Sequence, residues 1–372
     1  MNAPRATSTA RRPRSRLLTG LAWIIAAPQL LPACAWLVSE ESYRLDLLAN
    51  LGAQFLLLAA VSLGFVALFR RRGPTGLLLL CCALHLIPLL TGRAAFWPRD
   101  VGPADAERAP GVVRILHYND SNQSPLEAIE RLLDTSNADL VHLLGPSVKA
   151  QIAYIYSDDL APRFTGVIKR EWAPYENGRD TKITGAVVAS RWPVRAIDLA
   201  AEPMGDRLLA GIVERPGAPF AVIAVHPRSP RTEARWIEGN AVVAAIAKAS
   251  IDFERRGLPV VVLTDLNSTP TGHRSRRLYI DAGLRRCKPA LLLDGTHPNQ
   301  VTRTLMAGDT RTLFRAFWPA RIAIDDALVS PGISVDGWTV LPALGSEHSP
   351  ILMELHVPIP PAGAGSPTPA NR

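Results

Sequence analysis

Several apolar stretches of this 372-residue chain end on a side chain that can bind a cation or move a proton. VVRILHYN ends on Asn119 and PFAVIAVH on His226. LPVVVLTDLN ends on Asp265 and Asn267, and IAIDDALVS carries Asp325. The pair Glu347-His348 stands just before SPILMELHV. Carboxylates, carboxamides and imidazoles are the groups of cation binding and proton transfer. One Asn or His at a strand end is ordinarily a turn former or a cap. Six such positions in one domain favour a site, because sites in α/β sheets collect at strand ends.

The elements that must position them alternate. Strand patterns cover residues 112–119, 138–145, 183–190, 219–226, 258–267, 322–330 and 349–357. Helical spacing covers 126–134 and 235–256. Strands interleaved with helices, with hairpin-like stretches between, predict a layered α/β domain over residues 111–357. Residues 98–110 form a Pro/Ala/charge linker, and the Pro/Gly-rich tail 358–372 has no packing pattern.

The order of VRILHYN, ADLVHLLG, ITGAVVASRWPV, FAVIAVHPRSP, VVLTDLNSTP, IAIDDALVSPGI and GSEHSPILMEL resembles the endonuclease/exonuclease/phosphatase superfamily. The preceding apolar runs resemble those of its bacterial membrane-anchored members. The resemblance implies a four-layered α/β sandwich and metal-assisted hydrolysis of a phosphoester, with Mg²⁺ or Mn²⁺ as cofactor. Asn119 then positions metal or phosphate, and His226 matches the histidine of the fourth motif. Asp265 activates water and Asn267 contacts phosphate. Asp325 pairs with His348, the final histidine, which contacts the scissile phosphate. Glu347 takes the place of a metal-binding Asp.

The departures are as informative. Gly145 stands where the family carries its main metal-binding Glu, and glycine offers no side-chain oxygen. Glu347 is one methylene longer than the family's Asp, Thr264 replaces a Gly, and Asp326 follows Asp325. Asp120 is a candidate replacement ligand, though an Asp in YNDSNQSP is more commonly a turn former. His142 lies three residues before Gly145, so strand alternation points it to the opposite face.

Hydrophobic residues make up 48% of the chain and charged residues 20%, and the net charge is +8. Five arginines and no acid in residues 1–16 supply +5, while residues 111–372 hold 29 Lys+Arg against 27 Asp+Glu. The basicity is therefore that of a tail beside an apolar run, a topology signal. The domain gives no strong nucleic-acid signal, and the stretches Arg274-Ser-Arg-Arg277 and Arg285-Arg286 read as solvated faces. Apolar runs predict transmembrane helices at 17–38, 47–69 and 76–97. The arginine tail and Arg70-Arg71-Arg72 place the N-terminus in the cytoplasm. Three spans then put the domain on the periplasmic or outer side of a bacterial inner membrane. Of the four cysteines, only Cys287 lies outside the spans, so no disulfide within the domain is expected.

Three readings follow. The first is an integral-membrane, metal-dependent phosphoesterase whose substrate the sequence does not name. The second is a non-catalytic member of the same fold that binds a ligand or partner. The third gives the helices, with His85 among them, a role of their own.

Overall fold

The computed structural model describes residues 12–358, apart from 98, 106, 122–123, 147–149, 151–152, 155–156, 158, 161, 173–183, 293–294, 298–320 and 343. The expected tail 358–372 lies, but for its first residue, outside them. The chain forms two compact units, Met1–Leu89 and Leu90–Arg372.

The first unit is helical: α1 (Arg12–Ala26), α2 (Leu30–Ala35), α3 (Tyr43–Ala49), α4 (Gly52–Leu68) and α5 (Arg72–Leu90). Short 3-10 turns at Ala27–Gln29 and Trp36–Val38 carry the first helix past Pro28 and Pro32, so Arg16–Val38 continues as one apolar stretch of 23 residues. The second apolar run breaks instead. Asn50 turns its amide back onto the Asp46 carbonyl at 2.8 Å, and α3 and α4 meet at 60°. Among the described residues, two helices are long and apolar enough to cross a membrane, or three if the bent pair is one span. Buried contacts here use small residues, Ala22, Ala26, Ala33 and Ala59, which let helices approach closely. Gln29 Nε2 donates to Ser62 Oγ at 2.8 Å, satisfying two polar groups inside the bundle.

In the second unit the elements run β1 (Val112–Asn119), α6 (Leu126–Ser136), β2 (Leu140–Leu144), β3 (Gly166–Trp172), β4 (Thr184–Ser190), β5 (Val194–Ile197), β6 (Leu208–Val213) and β7 (Phe220–Val225). There follow α7 (Glu233–Arg255), β8 (Val260–Asp265), α8 (His273–Ala282), β9 (Arg285–Arg286), β10 (Asp325–Val329), β11 (Ser334–Val340) and β12 (Ile351–His356). Two six-stranded sheets form, in the orders β11-β12-β1-β2-β4-β3 and β5-β6-β7-β8-β10-β9. Each sheet holds one parallel pair, β1·β2 and β7·β8. A helix joins each pair, α6 in the first and α7 in the second, as a parallel connection requires.

Strand alternation then makes four layers. Val113, Ile115, Leu140 and Leu144 of the first sheet meet Phe220, Val222, Ala224, Val261 and Leu263 of the second in a central core. The alternate residues of the first sheet, Leu116, Tyr118 and Leu143, pack on Ile129 and Leu133 of α6. Those of the second, Ala221, Ile223 and Val262, pack on Val242 and Ile246 of α7 and Leu278 of α8. The architecture is the four-layered α/β sandwich expected.

Two expectations change. Arg274 and Arg286 are buried rather than solvated. Arg274 donates to Asn240 Oδ1 and the Leu266 carbonyl, and Arg286 pairs with Asp326 at 2.9 Å, so these charges are structural. Helix α5 ends at Leu90, and the segment after it is part of the second unit. The Ala94 N–H donates to Arg286 O and the Arg286 N–H to Gly92 O, which adds residues 92–94 to the free edge of β9.

Candidate active site

The two parallel pairs end side by side between the sheets, and their ends hold the polar residues. Asn119 is the last residue of β1 and Asp265 the last of β8. His226 follows β7 directly. Asp325 opens β10 in register opposite Asp265, and His348 lies in the loop entering β12.

Asp265 is held from three directions. Asn119 Nδ2 donates to its Oδ2 at 2.9 Å and His226 Nε2 lies 3.4 Å from the same oxygen. The Asn267 N–H donates to Oδ1 at 2.9 Å, with Asn267 in the left-handed region at φ +50. The Asn267 carboxamide donates to the Pro227 carbonyl at 3.1 Å, tying the loop after β8 to the loop after β7. Burial and Asp325 push the Asp265 carboxyl up, but His226 and His348 outweigh them and it stays below its ordinary value.

His348 Nδ1 lies 2.8 Å from Asp325 Oδ2. Ser346 Oγ accepts from the His348 N–H at 3.0 Å and donates to the Asn119 carbonyl at 2.8 Å, fixing the loop to the end of β1. Burial opposes an imidazolium here, but the charge and hydrogen bond of Asp325, with Asp265 and Glu347, push the His348 pKa up to about 9. Asp325 is held ionised well below the carboxylate range, because His348 and His117 overcome the effect of burial. His348 Nε2 comes within 3.9 Å of Asp265 Oδ2.

Asp265, Asp325 and His348 each offer an atom within 4.8 Å of the others' atoms, a group able to hold a metal ion. Glu347 is half-buried beside it and is not one of the three, although its charge acts on His348 and His297. Asp120 takes the turn role: it is buried, and its Oδ1 accepts from the Ser124 N–H at 2.7 Å. Gly145 follows β2 at φ +53, and a Cβ there would lie 3.8 Å from Asn119 Oδ1. Asp326 turns away from the site to Arg286, the Lys288 N–H and Trp338 Nε1. Thr264 is buried one residue before Asp265.

Three further histidines surround this group. His142 is not on the opposite face. Residues 140, 142 and 144 all point between the sheets, and the left-handed turn at Gly145 breaks the alternation that counting back from it assumes. His142 Nδ1 lies 2.9 Å from His117 Nδ1, and both rings are fully buried. His117 Nε2 in turn lies 3.7 Å from Asp325 Oδ1. His297 stacks on His348 with ring centres 4.6 Å apart. Five of the chain's eight histidines thus gather around Asp265 and Asp325. Burial lowers the pKa of His142, with His117 and His226 adding to it, and lowers that of His297, with His348 adding to it.

No family model matches the chain, and no curated protein does. Solved structures do. The likeness is to endonuclease/exonuclease/phosphatase structures. One, an endonuclease/exonuclease/phosphatase from Beutenbergia cavernae, is 17% identical over 67% of this chain and 72% of its own, with a TM-score of 0.47. The catalytic domain of human Nocturnin, with bound sulfate, is 13% identical over 67% and 95%, at 0.46. A mannosyl-6-phosphatase from Bacteroides thetaiotaomicron is 15% identical over 65% and 99%, at 0.43. At these identities the likeness is one of fold.

Proposed function

We propose that this chain is a membrane-anchored, metal-dependent phosphoesterase. The observation that carries the reading is the pairing at the sheet ends: an ionised Asp265 facing an imidazolium, His348, that Asp325 keeps protonated. The donor set fits a divalent cation. Asp265 and Asp325 supply carboxylates, and Asp325 Oδ1 is a buried oxygen with no hydrogen-bond partner among the described residues. Asp265 and Asp325 are the residues that would hold Mg²⁺ or Mn²⁺, with Glu347 half-buried beside them. Such an ion supplies charge neutralisation on the phosphate and a lowered pKa for bound water.

The chain's own residues have these roles. Asp265, oriented by Asn119 and Asn267, accepts a proton from water as the water oxygen attacks phosphorus and the ester P–O bond breaks. His348 Nε2, charged at neutral pH, donates to a non-bridging oxygen where negative charge develops. His226 aligns Asp265 and faces the same anion. The departing alkoxide takes up a proton from water or from His226.

Gly145 favours a second reading. With no carboxylate at the end of β2, the site has one charged ligand fewer than the superfamily resemblance implies, and it could bind a phosphate ester without turning it over. One experiment separates the two. The full chain in nanodiscs is assayed on a chromogenic phosphodiester and phosphomonoester with Mg²⁺ or Mn²⁺, beside Asp265→Asn and His348→Ala. The enzyme reading requires turnover that chelator and both substitutions abolish. Chromophore released in no sample from either ester, while the wild-type chain binds the ester, would leave the binding module.

The same reading places the domain outside the cytoplasm. Its support is the arginine tail, the Arg70-Arg71-Arg72 turn and three spans with the bent pair counted as one. A reporter enzyme active only in the periplasm, fused after Arg372, should be active. A reporter fused at Arg72 should not.

A further inference from the structure

Among the described residues that follow α5, six large apolar side chains are exposed: Phe96, Trp97, Ile237, Tyr279, Ile280 and Leu291. Five of them lie on two joined segments, residues 92–97 with Leu291 and the end of α8, which meet where Tyr279 packs on Gly92. The Leu291 N–H donates to Phe96 O at 3.1 Å and the Ala290 N–H to Ala95 O at 3.1 Å, so Phe96, Trp97 and Leu291 share one edge. Tyr279 packs against Gly92, where a Cβ would come 3.0 Å from its ring, and Ile280 is its neighbour on α8. Their exposures are high for apolar groups: Trp97 72%, Ile280 69%, Phe96 51% and Leu291 45%, with Tyr279 at 38%. Scattered apolar residues on a surface need no cause, but a contiguous row does.

The row borders one half-buried arginine. Arg276 lines a recess with Gly92, Ser275 and Tyr279, over the buried Arg93 and Arg286. Aromatic rings and aliphatic side chains on one edge match the boundary layer of a bilayer surface. There, Trp and Tyr sit at the level of the headgroups.

Chain connectivity selects the occupant. Residue 91 follows Leu90, the end of a helix long and apolar enough to span a membrane. Residues 92–97 therefore lie at most about 25 Å of extended chain from the hydrocarbon core. The hydrogen bonds of residues 92–96 to Arg286, Ala290 and Leu291 stitch this short segment onto β9 and the chain after it. Where those six residues go, the edge of the second sheet goes with them.

We propose that this edge, residues 92–97 with Tyr279, Ile280 and Leu291, docks into the headgroup layer of a phospholipid bilayer. This rests on the reading of α5 as a membrane span. The lipid-facing edge turns the juxtamembrane segment into a rigid bracket instead of a loose tether, and it holds the catalytic domain in one orientation to the membrane.

The test uses the full chain with Cys34, Cys81 and Cys82 replaced by serine, in phosphatidylcholine–phosphatidylglycerol nanodiscs. A fluorophore is attached in turn to Ile280→Cys, Leu291→Cys, Ile237→Cys and Leu79→Cys. Headgroup-labelled and shallow doxyl lipids should quench the probes at 280 and 291 several-fold more than the probe at 237, with iodide showing the reverse order. Quenching at 79 by deep doxyl lipids, with 280 and 291 behaving as 237 does, would overturn the docking and leave the span. No lipid quenching at 79 would overturn both. Probes at 280 and 291 shielded from iodide yet untouched by doxyl lipids would mean that protein covers the edge, which also overturns the proposal.

Discussion

Asp325 and Asp326 are adjacent in the sequence and stand on opposite sides of one strand, and each holds a different cation. Asp325 Oδ2 lies 2.8 Å from His348 Nδ1 at the site, and Asp326 Oδ2 accepts from Arg286 Nε at 2.9 Å inside the fold. Strand alternation separates the two roles. The first carboxylate sets the charge of a histidine at the sheet ends. The second neutralises a guanidinium that has no access to water.

Asp325→Asn should therefore remove activity and leave the fold. The His348 pKa falls from about 9 toward or below its ordinary 6.5, since burial remains and the opposing charge is gone. Turnover on a phosphodiester should drop roughly 10²–10⁴-fold, the scale of losing a positioned acid. Proton NMR of the His348 ring, in chelator, checks the shift directly. A ring still charged at pH 8 in the variant would mean that Asp325 is not what holds the proton.

Asp326→Ala should do the reverse of this in order of severity. It leaves Arg286, the Lys288 N–H and Trp338 Nε1 without their acceptor, all inside the domain. Breaking a buried ion pair costs on the order of 3–5 kcal/mol, a large part of a domain's stability. Urea unfolding followed by Trp fluorescence should show the midpoint collapse. A midpoint within error of the wild type would contradict the structural role.

The site's main residues were legible because each follows an apolar run. Asn119, His226 and Asp265 interrupt hydrophobic strands where the strands end, and the chain needs no Asn, His or Asp there for packing. His117 and His142 were hidden by the same pattern, since a histidine inside VVRILHYN or LVHLL reads as core. His297 lies between α8 and β10 with only an isolated bridge to Ile322, so no periodicity marks it. Of the strands, β3, β5, β6, β9 and β11 were not expected: β5 and β9 are four and two residues long, the charges of GVIKREW break β3, and SVDGWTV is interrupted by Asp336 and Gly337. The stitching of residues 92–96 to β9 is tertiary and had no local sign.

Stability should fall on the alkaline side through His348. Its folded pKa of about 9 exceeds the unfolded 6.5, so its stabilisation is complete below about pH 6.5 and is lost as pH rises through about 9. On that span the contribution is at most about 3 kcal/mol. Urea midpoints of the metal-free chain at pH 7 and pH 9.5 should differ in the wild type and converge in His348→Gln. Parallel curves for the two proteins would remove His348 as the cause.

The buried His117–His142 pair sets a second, acidic limit. Burial, then His117 and His226, depress the His142 pKa below 6.5, so below that pH the unfolded chain binds protons that the folded chain refuses. Stability should therefore fall as pH drops from about 6.5 toward 5, before Asp325 begins to protonate at lower pH. His142→Gln should flatten this window alone. An unchanged slope between pH 6.5 and 5 would assign the acid loss to other groups, His297 first.

Gly145 tests the vacancy in the ligand set. At φ +53 a non-glycine residue is strained by about 1–2 kcal/mol. Space is not the obstacle, because a Cβ would meet its nearest neighbours, Ser121 N and Asn119 Oδ1, at 3.7 and 3.8 Å, ordinary contact. Gly145→Ala should thus lose about that much stability with Mn²⁺ affinity unchanged. Gly145→Glu should lose the same amount in chelator. In Mn²⁺ it should recover stability in proportion to the logarithm of metal concentration over Kd, because its side chain starts beside Asn119, which donates to Asp265. Thermal unfolding across a Mn²⁺ series measures both terms. If the Glu and Ala variants trace the same curve, the end of β2 does not face the cation, and the absence of a carboxylate there has no bearing on catalysis.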